Sequence, residues 1–355
     1  MTVQEQIKAK RPIGGIPDDP ELLRAAAELT RDINTARPEI YWSDMLGSAA
    51  LGYGGIAGAI LLPGWQAWAA GLVAGFALYR ATLFIHELTH FHRTALPGFR
   101  VVWNLVVGIP VLMPSFMYEG VHTLHHARTR YGTAEDPEYM PLALMKPWAL
   151  PGFILVALLL PAALLVRSAV LVPLGGVVPP LRSLVWQRAS SLSINPLFRR
   201  RPPEGAFARM VMWQELGASL WAITLLSSLL WLGWRPLLIA LAILSFTAVF
   251  NQLRTLVAHL WQNQGEAMTV TAQYLDSVNV PPPGLLAELW APVGLRYHAL
   301  HHLLPSTPYH AYGEAHRRLT ARFGVGATYQ GANYPGMWML LGRIAKSTMG
   351  KGSRV

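Results

Sequence analysis

The chain has 355 residues, of which 52% are hydrophobic and 14% are charged, and its formal net charge is +10. Soluble domains are roughly 25% charged, so this composition indicates a membrane protein. The basic residues lie beside apolar runs, where binding to anionic lipids and control of topology explain them, and we expect no nucleic-acid partner. The chain has no cysteine, which excludes disulfides, thiolate metal sites and cysteine nucleophiles.

The N-terminal segment lacks the apolar core of a secretory signal, so we expect it to stay in the cytoplasm. Within it, the pattern PELLRAAAELTRDIN predicts a short amphipathic helix with Asp19 as its N-cap, lying on the membrane surface. We therefore assign 1–40 to a cytoplasmic tail with this helix, 41–325 to a membrane domain, and 326–355 to a C-terminal cytoplasmic tail.

Four stretches are long and apolar enough to span a membrane, which requires about 20 residues. They form two predicted hairpins, 42–62 with 65–85 and 212–231 with 237–257. Basic residues flank the open ends of the first hairpin, and the positive-inside rule places those ends in the cytoplasm.

Two further apolar stretches, 101–117 and 148–178, contain prolines and have basic residues on both sides. We predict that each is shallow or re-entrant, entering and leaving on the cytoplasmic face. The predicted fold is thus an all-α integral membrane protein with four transmembrane helices in two hairpins. Its expected location is a bacterial inner membrane, with both termini in the cytoplasm.

The histidines occur in bursts, with none in 1–85 and none in 127–258. The segment IHELTHFH contains a pair at spacing i, i+4, and GVHTLHHARTR and RYHALHHLLP each contain three at i, i+3, i+4. Such spacings place the rings on one helix face. With one more at the end of the fourth span, these residues are His86, His90, His122, His125, His126, His259, His298, His301 and His302.

Every group lies at a predicted cytoplasmic boundary of the membrane, so folding can bring nine rings together just below the bilayer. A single zinc ion takes four ligands, whereas two first-row ions can share eight or nine imidazoles. Iron is favoured, because C–H chemistry among lipid chains requires a redox metal. We interpret His92, His310 and His316, which lie outside the shared faces, as ordinary polar residues.

These groups resemble the three histidine boxes of the membrane fatty acid desaturase and hydroxylase superfamily, which read HxxxH or HxxxxH, then HxxHH twice. Further along, HHARTRYGTAEDPEY is similar to the family's HHxxT followed by an acidic DPE, and HHLLPSTPYHAYGEAHRRL is similar to its HHLFPxxP run. The resemblance covers about 45–320 of the chain. It implies four transmembrane helices and a cytoplasmic cap that holds a di-iron site, with the nine histidines as ligands.

Four other residues are candidates for the surroundings of the metals. Glu87 and Asp136 are either groups that orient ligand imidazoles through their second nitrogen or ordinary solvated carboxylates. Thr129 belongs to the motif after the second box. Some animal members have an Asn four residues before the histidine equivalent to His259, and Thr255 stands there in this chain.

The resemblance implies an oxygen-dependent di-iron desaturase that introduces a double bond into the acyl chain of a membrane lipid or fatty acid. Dioxygen would be the co-substrate, and ferredoxin or a similar external donor would supply electrons. The alternative is a hydroxylase that uses the same di-iron site on C–H bonds of a lipid, carotenoid or alkane. Residues 86–90 also read HExxH, the signature of zinc proteases, but a protease would leave both HxxHH groups unused. A metal-binding membrane scaffold without activity is a further possibility.

Overall fold

A computed structural model describes residues 13–92, 94–284 and 286–349. Within these ranges the chain is helical and forms no strand, only three isolated β-bridges, which confirms the all-α expectation. The helices are α1 (Pro20–Thr30), α2 (Pro38–Leu61), α3 (Gly64–His90), α4 (Phe99–Gly108), α5 (His122–His125), α6 (Ala149–Gly175), α7 (Pro179–Ala189), α8 (Gly205–Leu232), α9 (Trp234–Leu256), α10 (Val270–Asp276), α11 (Ala287–Trp290), α12 (His298–Leu303), α13 (Tyr312–Phe323) and α14 (Met337–Met349).

The predicted N-terminal helix is present as α1. Asp19 caps it, because its side chain accepts hydrogen bonds from the backbone N–H groups of Glu21 and Leu22 at 3.1 and 3.0 Å. The apolar face of α1 is buried at Leu22 and Ala26. An ion pair between Asp32, which follows the helix, and Arg318 joins this segment to α13.

Five helices are long and apolar enough to cross a membrane, namely α2, α3, α6, α8 and α9. Four of them correspond to the predicted spans. The fifth, α6, occupies the stretch that the sequence predicted to be shallow, and its 27 residues include Pro161. Proline is tolerated in apolar helices when neighbouring groups satisfy the freed carbonyl. The other predicted shallow stretch forms α4, which at ten residues, about 15 Å, is too short to cross.

The first hairpin is held by close contact between α2 and α3. A Cβ atom on Gly55 would lie 2.8 Å from the carbonyl oxygen of Ala70 and 2.9 Å from the Ala74 side chain. Only glycine therefore fits at this crossing, as is common where helices pack within a bilayer. The hairpin in turn fixes the direction of α3, whose last two turns carry His86 and His90.

The ends of the described chain pack against the histidine-bearing helices. Asn279 donates its N–H to the Ala332 carbonyl and accepts from the Tyr334 N–H, both at 2.8 Å. Its side-chain oxygen accepts from the N–H of Leu300 in α12 at 3.0 Å. Leu340 and Ile344 of α14 are also buried. The predicted tails 1–40 and 326–355 lie partly outside the described residues, but the described part of each contributes to the core.

A cluster of ion pairs around the buried Glu215 joins three helices. Glu215 of α8 pairs with Arg167 of α6 at 2.6 Å and with Arg182 of α7 at 2.7 Å. Arg167 also donates to the Ser190 hydroxyl at 2.8 Å. Charges in such surroundings persist only when they are paired and hydrogen-bonded, so this cluster fixes α6 and α7 against α8.

We expect Glu215→Ala to destabilise the protein by about 3–5 kcal/mol, because it leaves Arg167 buried without its counter-charge. The apparent melting temperature in detergent measures this effect. Glu204→Ala is the matched control, since Glu204 is exposed at the start of the same helix. Equal melting temperatures for the two variants would contradict the proposed role of the cluster.

Candidate metal centre

Two predicted ligands lie at the end of α3, and the others lie on or beside short helices or at a β-bridge. α5 begins at His122 and α12 begins at His298, so each carries its HxxHH group over about one turn. His259 follows the end of α9 and is held by an antiparallel bridge to Ser277. The residues that flank the bridge form its backbone hydrogen bonds. The N–H of Leu260 donates to the Asp276 carbonyl at 2.7 Å.

The structure brings all nine predicted histidines together in two adjoining clusters. In each cluster the candidate ligand atoms lie within 4.8 Å of one another. The five-histidine cluster contains His86, His90, His122, His126 and His301, and the four-histidine cluster contains His125, His259, His298 and His302. The residues come from four separate parts of the chain, so neither cluster exists without the tertiary fold.

The other three histidines lie outside these clusters. His92 is exposed and bonds to the Thr94 hydroxyl, His310 accepts the N–H of Arg37, and His316 bonds to the Tyr329 hydroxyl. This placement agrees with their interpretation as ordinary polar residues.

The ring nitrogens in the clusters face one another at hydrogen-bonding distances. The Nε2 atoms of His126 and His301 are 2.9 Å apart, and those of His259 and His298 are 3.0 Å apart. Both ring nitrogens of His86 are buried and have no hydrogen-bond partner. Lone pairs left in this way are costly, and a metal cation in each cluster would satisfy them. The residues therefore fit two metal ions.

The protonation states agree with this fit. Outside α3, burial lowers the pKa of every cluster imidazole except His125 well below its usual value, and neighbouring histidines lower it further; they are His122, His126, His259, His298, His301 and His302. Burial also acts to lower the pKa of His125, but the Asp136 carboxylate raises it above the usual value. Metals bind the neutral imidazole, so most of the centre is already in its binding form.

Two carboxylates orient the second histidine group. Asp136 accepts from the Nδ1–H of His125 at 2.9 Å and is itself held by the N–H groups of Gly132 and Glu138, both at 2.8 Å. Glu138 accepts from the Nδ1–H of His122 at 2.9 Å. With Nδ1 protonated, each ring directs its Nε2 lone pair inward. Asp136 was expected from the sequence. Glu138 was not, although its place in the DPE motif was a signal.

Hydroxyl groups orient two further ligands. The Tyr131 oxygen lies 2.9 Å from His259 Nδ1 and donates its proton to Asp276 at 2.9 Å. The Tyr312 oxygen lies 2.9 Å from His301 Nδ1. Sequence reasoning missed Tyr131, Asp276 and Tyr312. Asp276 and Tyr131 are separated by 145 positions, so no local pattern could have linked them.

Of the remaining predicted neighbours, the buried Glu87 lies beside a cluster histidine, whereas the two threonines form no bond to one. The Glu87 carboxylate accepts from the Tyr41 hydroxyl at 2.6 Å and from the Tyr309 N–H at 3.2 Å, and it is 3.5 Å from His86 Nδ1. These two hydrogen bonds engage one carboxylate oxygen, Oε2, in packing α3 against α2 and the segment before α13, whereas a zinc protease uses this carboxylate to activate water. Thr129 is exposed and Thr255 is half-buried. Among the described residues, no side-chain hydrogen bond joins either threonine to a cluster histidine.

We expect Asp136→Asn to weaken metal binding by about 10–100-fold, because the amide cannot stabilise the same orientation and basicity of His125. Competition with a chelator, followed by elemental analysis of the purified protein, measures the change. Glu135→Gln is the control, because Glu135 is exposed and pairs only with Arg130. Equal metal retention by both variants would show that Asp136 does not support the centre.

Comparison with known proteins agrees with this geometry. The family model described as "Fatty acid desaturase" matches residues 20–332. A protein named "Ceramide hydroxylase" from Caulobacter vibrioides (strain NA1000 / CB15N) is 46% identical over 333 residues, which cover 92% of this chain and 93% of that protein. With several apolar helices and the matching family, the chain is a multi-pass membrane oxidoreductase of the desaturase and hydroxylase type. It belongs to the fatty acid desaturase family.

Proposed function

We propose that this protein hydroxylates a C–H bond of ceramide or a closely similar sphingolipid. The sequence motifs placed desaturation first and hydroxylation second. The observation that carries the proposal is the 46% identity, over 92% of the chain, to a protein named as a ceramide hydroxylase. This relative favours the hydroxylase alternative over desaturation, while the histidine centre is equally suited to either reaction.

In this proposal the two clusters hold two iron ions, in keeping with a family that is typically iron-dependent. When bound, iron supplies a redox metal that can use dioxygen against an unactivated C–H bond. The net reaction places one oxygen atom in the lipid and releases the other as water. Ferredoxin or a similar external donor supplies two electrons, and two protons are taken up.

The chain's own residues contribute position and environment. Asp136 and Glu138 fix the rings of His125 and His122 by accepting hydrogen bonds from their Nδ1–H groups. Tyr131 and Tyr312 do the same for His259 and His301. All of the cluster histidines are buried except His90 and His126, which are partly buried, and this burial keeps bulk water away from the reacting atoms.

The lipid products test the proposal. In a host that makes ceramide but does not hydroxylate it, the protein should yield ceramides heavier by one oxygen atom, detected by mass spectrometry. His301→Ala, which removes a ligand of the five-histidine cluster, should abolish the product.

Lipids lighter by two hydrogens would instead identify a desaturase. An added oxygen on another lipid, with ceramide unchanged, would show that the substrate assignment is wrong. The absence of any change with a metal-loaded protein would count against both reactions and would favour a scaffold.

We also propose that four helices cross the membrane and that α6 does not. Two contacts of α6 support this proposal. Ser245 of α9 donates to the Leu158 carbonyl of α6 at 2.9 Å, and Arg167 of α6 pairs with Glu215 of α8. Ser245 lies 11 residues before the end of α9, about 16 Å, and Glu215 lies 10 residues after the start of α8, about 15 Å.

Both contacts therefore lie at a similar depth, measured from the histidine end of the bundle. The part of α6 between them is about 13 Å long, so it runs across the bundle rather than through it. Such a path supports a re-entrant segment that returns by α7. The metal centre and both termini would then face the cytoplasm, in a bacterial inner membrane.

Because the natural chain has no cysteine, single cysteines can report this topology. In intact cells, a membrane-impermeant maleimide should label Arg235→Cys, in the first turn of α9 next to its junction with α8. It should not label Val177→Cys, after α6, although Val177 is 77% exposed in the isolated chain. Labelling of Val177→Cys to the level of Arg235→Cys would mean that α6 crosses the membrane completely.

A further inference from the structure

Two short helices carry ligands of both histidine clusters, and they differ in how far they are covered. α5 contributes His122 and His126 to the five-histidine cluster and His125 to the four-histidine cluster. α12 also contributes to both clusters, but all six of its residues are buried. In α5, Thr123 is exposed and Leu124 is half-buried. α5 is therefore the helix over which both clusters can be approached from the surface.

A groove of about 600 Å³ lies over this outer face of α5. Leu124 lines it, and the Cα atom of the next residue, the ligand His125, is about 3.8 Å away. The chain that enters α5 lines the groove at Gly120, and the chain that leaves α5 lines it at Arg130. The loop between α7 and α8 supplies more of the lining, including Leu197. A molecule bound in the groove is thus separated from the ligands by little more than α5 itself.

The groove has more positive than negative charge. Both of its glutamates have arginine partners, since Glu135 pairs with Arg130 at 3.2 Å and Glu119 pairs with Arg100. Two further arginines, in the loop between α7 and α8, are exposed, and among the described residues no carboxylate pairs with either. The charged residues that line the groove are Arg130, Arg199, Arg200, Arg201, Glu119 and Glu135. The chain itself therefore leaves part of this positive charge without a partner.

Arg200 holds the charged loop in a defined shape. It is buried, it donates to the Glu119 carbonyl, and its guanidinium lies 5.0 Å from the centroid of the Trp186 ring. Trp186 in turn donates its indole N–H to the Arg201 carbonyl at 2.6 Å. Arg199 and Arg201, on either side of Arg200, are thus presented to solvent by an ordered segment. Order of this kind lowers the entropy cost of binding a partner.

The surroundings of these arginines suit a protein partner. Leu197 is 74% exposed beside them, and an apolar side chain within a charged rim is typical of protein interfaces. Encounters between electron-transfer proteins bury little surface, so a groove of this size is sufficient. Charge complementarity would bring an acidic partner to it rapidly. The position over α5 favours an electron carrier, because a carrier must come close to the metal ligands, whereas a lipid head group has no such requirement.

We propose that this groove docks the electron carrier of the enzyme, a small acidic protein with a one-electron redox centre. Carboxylates of the carrier pair with Arg199 and Arg201, and the edge of its redox centre faces Leu124. In each encounter the carrier is oxidised by one electron, which passes across α5 to the metal centre. Two encounters supply the two electrons of one hydroxylation, and water supplies the two protons. This inference rests on the proposed function, which requires an external electron donor.

Binding of an acidic [2Fe–2S] ferredoxin tests the proposal without turnover. The metal-loaded protein, in nanodiscs of a zwitterionic phospholipid, is exposed to oxidised ferredoxin, and association is followed by biolayer interferometry. We expect Arg199→Glu combined with Arg201→Glu to slow association about tenfold or more, because it reverses the steering charge. Added salt should weaken binding by the wild type.

The matched control makes the same change of charge outside the groove. It combines Arg24→Glu with Arg31→Glu, at two exposed arginines that do not line the groove. We expect this control to associate at close to the wild-type rate. Equal association rates for the two double variants would overturn the proposal, since net charge and not the groove would then govern binding.

A neutral substitution tests whether the carrier enters the groove. Ala134 is exposed in the lining, so Ala134→Trp narrows the approach to Leu124 without changing the charge. We expect weaker ferredoxin binding and slower anaerobic oxidation of reduced ferredoxin by the metal-loaded protein. Ala27→Trp, on the exposed side of α1, is the control. Wild-type behaviour of Ala134→Trp in both measurements would contradict docking in the groove.

An anionic lipid is the other possible occupant, and a separate measurement identifies it. Phosphatidylglycerol is added to the protein in a neutral detergent, and the shift in melting temperature is recorded. If the variant with glutamate at 199 and 201 loses this shift but binds ferredoxin as the wild type does, the arginines bind lipid head groups. That result would overturn the proposal.

The failure of the docking site and the failure of the proposed function are distinguishable. If the wild type, reduced with dithionite and then exposed to oxygen, forms no hydroxylated ceramide, the proposed function fails, although ferredoxin binding can still be measured. If it forms this product but does not bind the acidic ferredoxin, or binds it without any dependence on salt, only the docking site is wrong.

Discussion

Nine imidazole rings occupy two adjoining clusters, and this arrangement depends on keeping them neutral while their Nε2 atoms face inward. Charged rings at these separations would repel one another strongly in a medium from which water is excluded. Burial itself lowers the pKa of most of them, but it also leaves nitrogens such as those of His86 without protein partners. The residues therefore fit cations that the histidines would share, and the rest of the molecule positions the rings.

The orienting groups are braced by the loop that follows α7. Asn195 donates to the Asp136 carbonyl at 2.9 Å, and the Ser193 hydroxyl donates to the Pro137 carbonyl at 2.6 Å. These bonds hold the segment that carries Asp136 and Glu138. The loop is itself connected to α6 and α8 through Arg167 and its ion cluster. A substitution in the ion cluster of Arg167 can thus alter the positions of Asp136 and Glu138 through a short series of contacts.

Arginines of the membrane helices join neighbouring helices. Arg80 and Arg167 have carboxylate partners on neighbouring helices, and these ion pairs join the helices.

The sequence by itself determined the histidines, their spacing and the family, because helix periodicity and histidine boxes are local patterns. It also predicted four of the apolar helices and the cap at Asp19. Only the tertiary structure decided how the histidines divide into five and four. It also assigned Glu138, Tyr131 and Tyr312 as their orienting partners. Only the structure shows that the stretch after 148 forms one apolar helix of 27 residues, α6, in contact with α8 and α9. These features join residues that are distant in the chain, and a local pattern carries no information about which distant side chain will meet it.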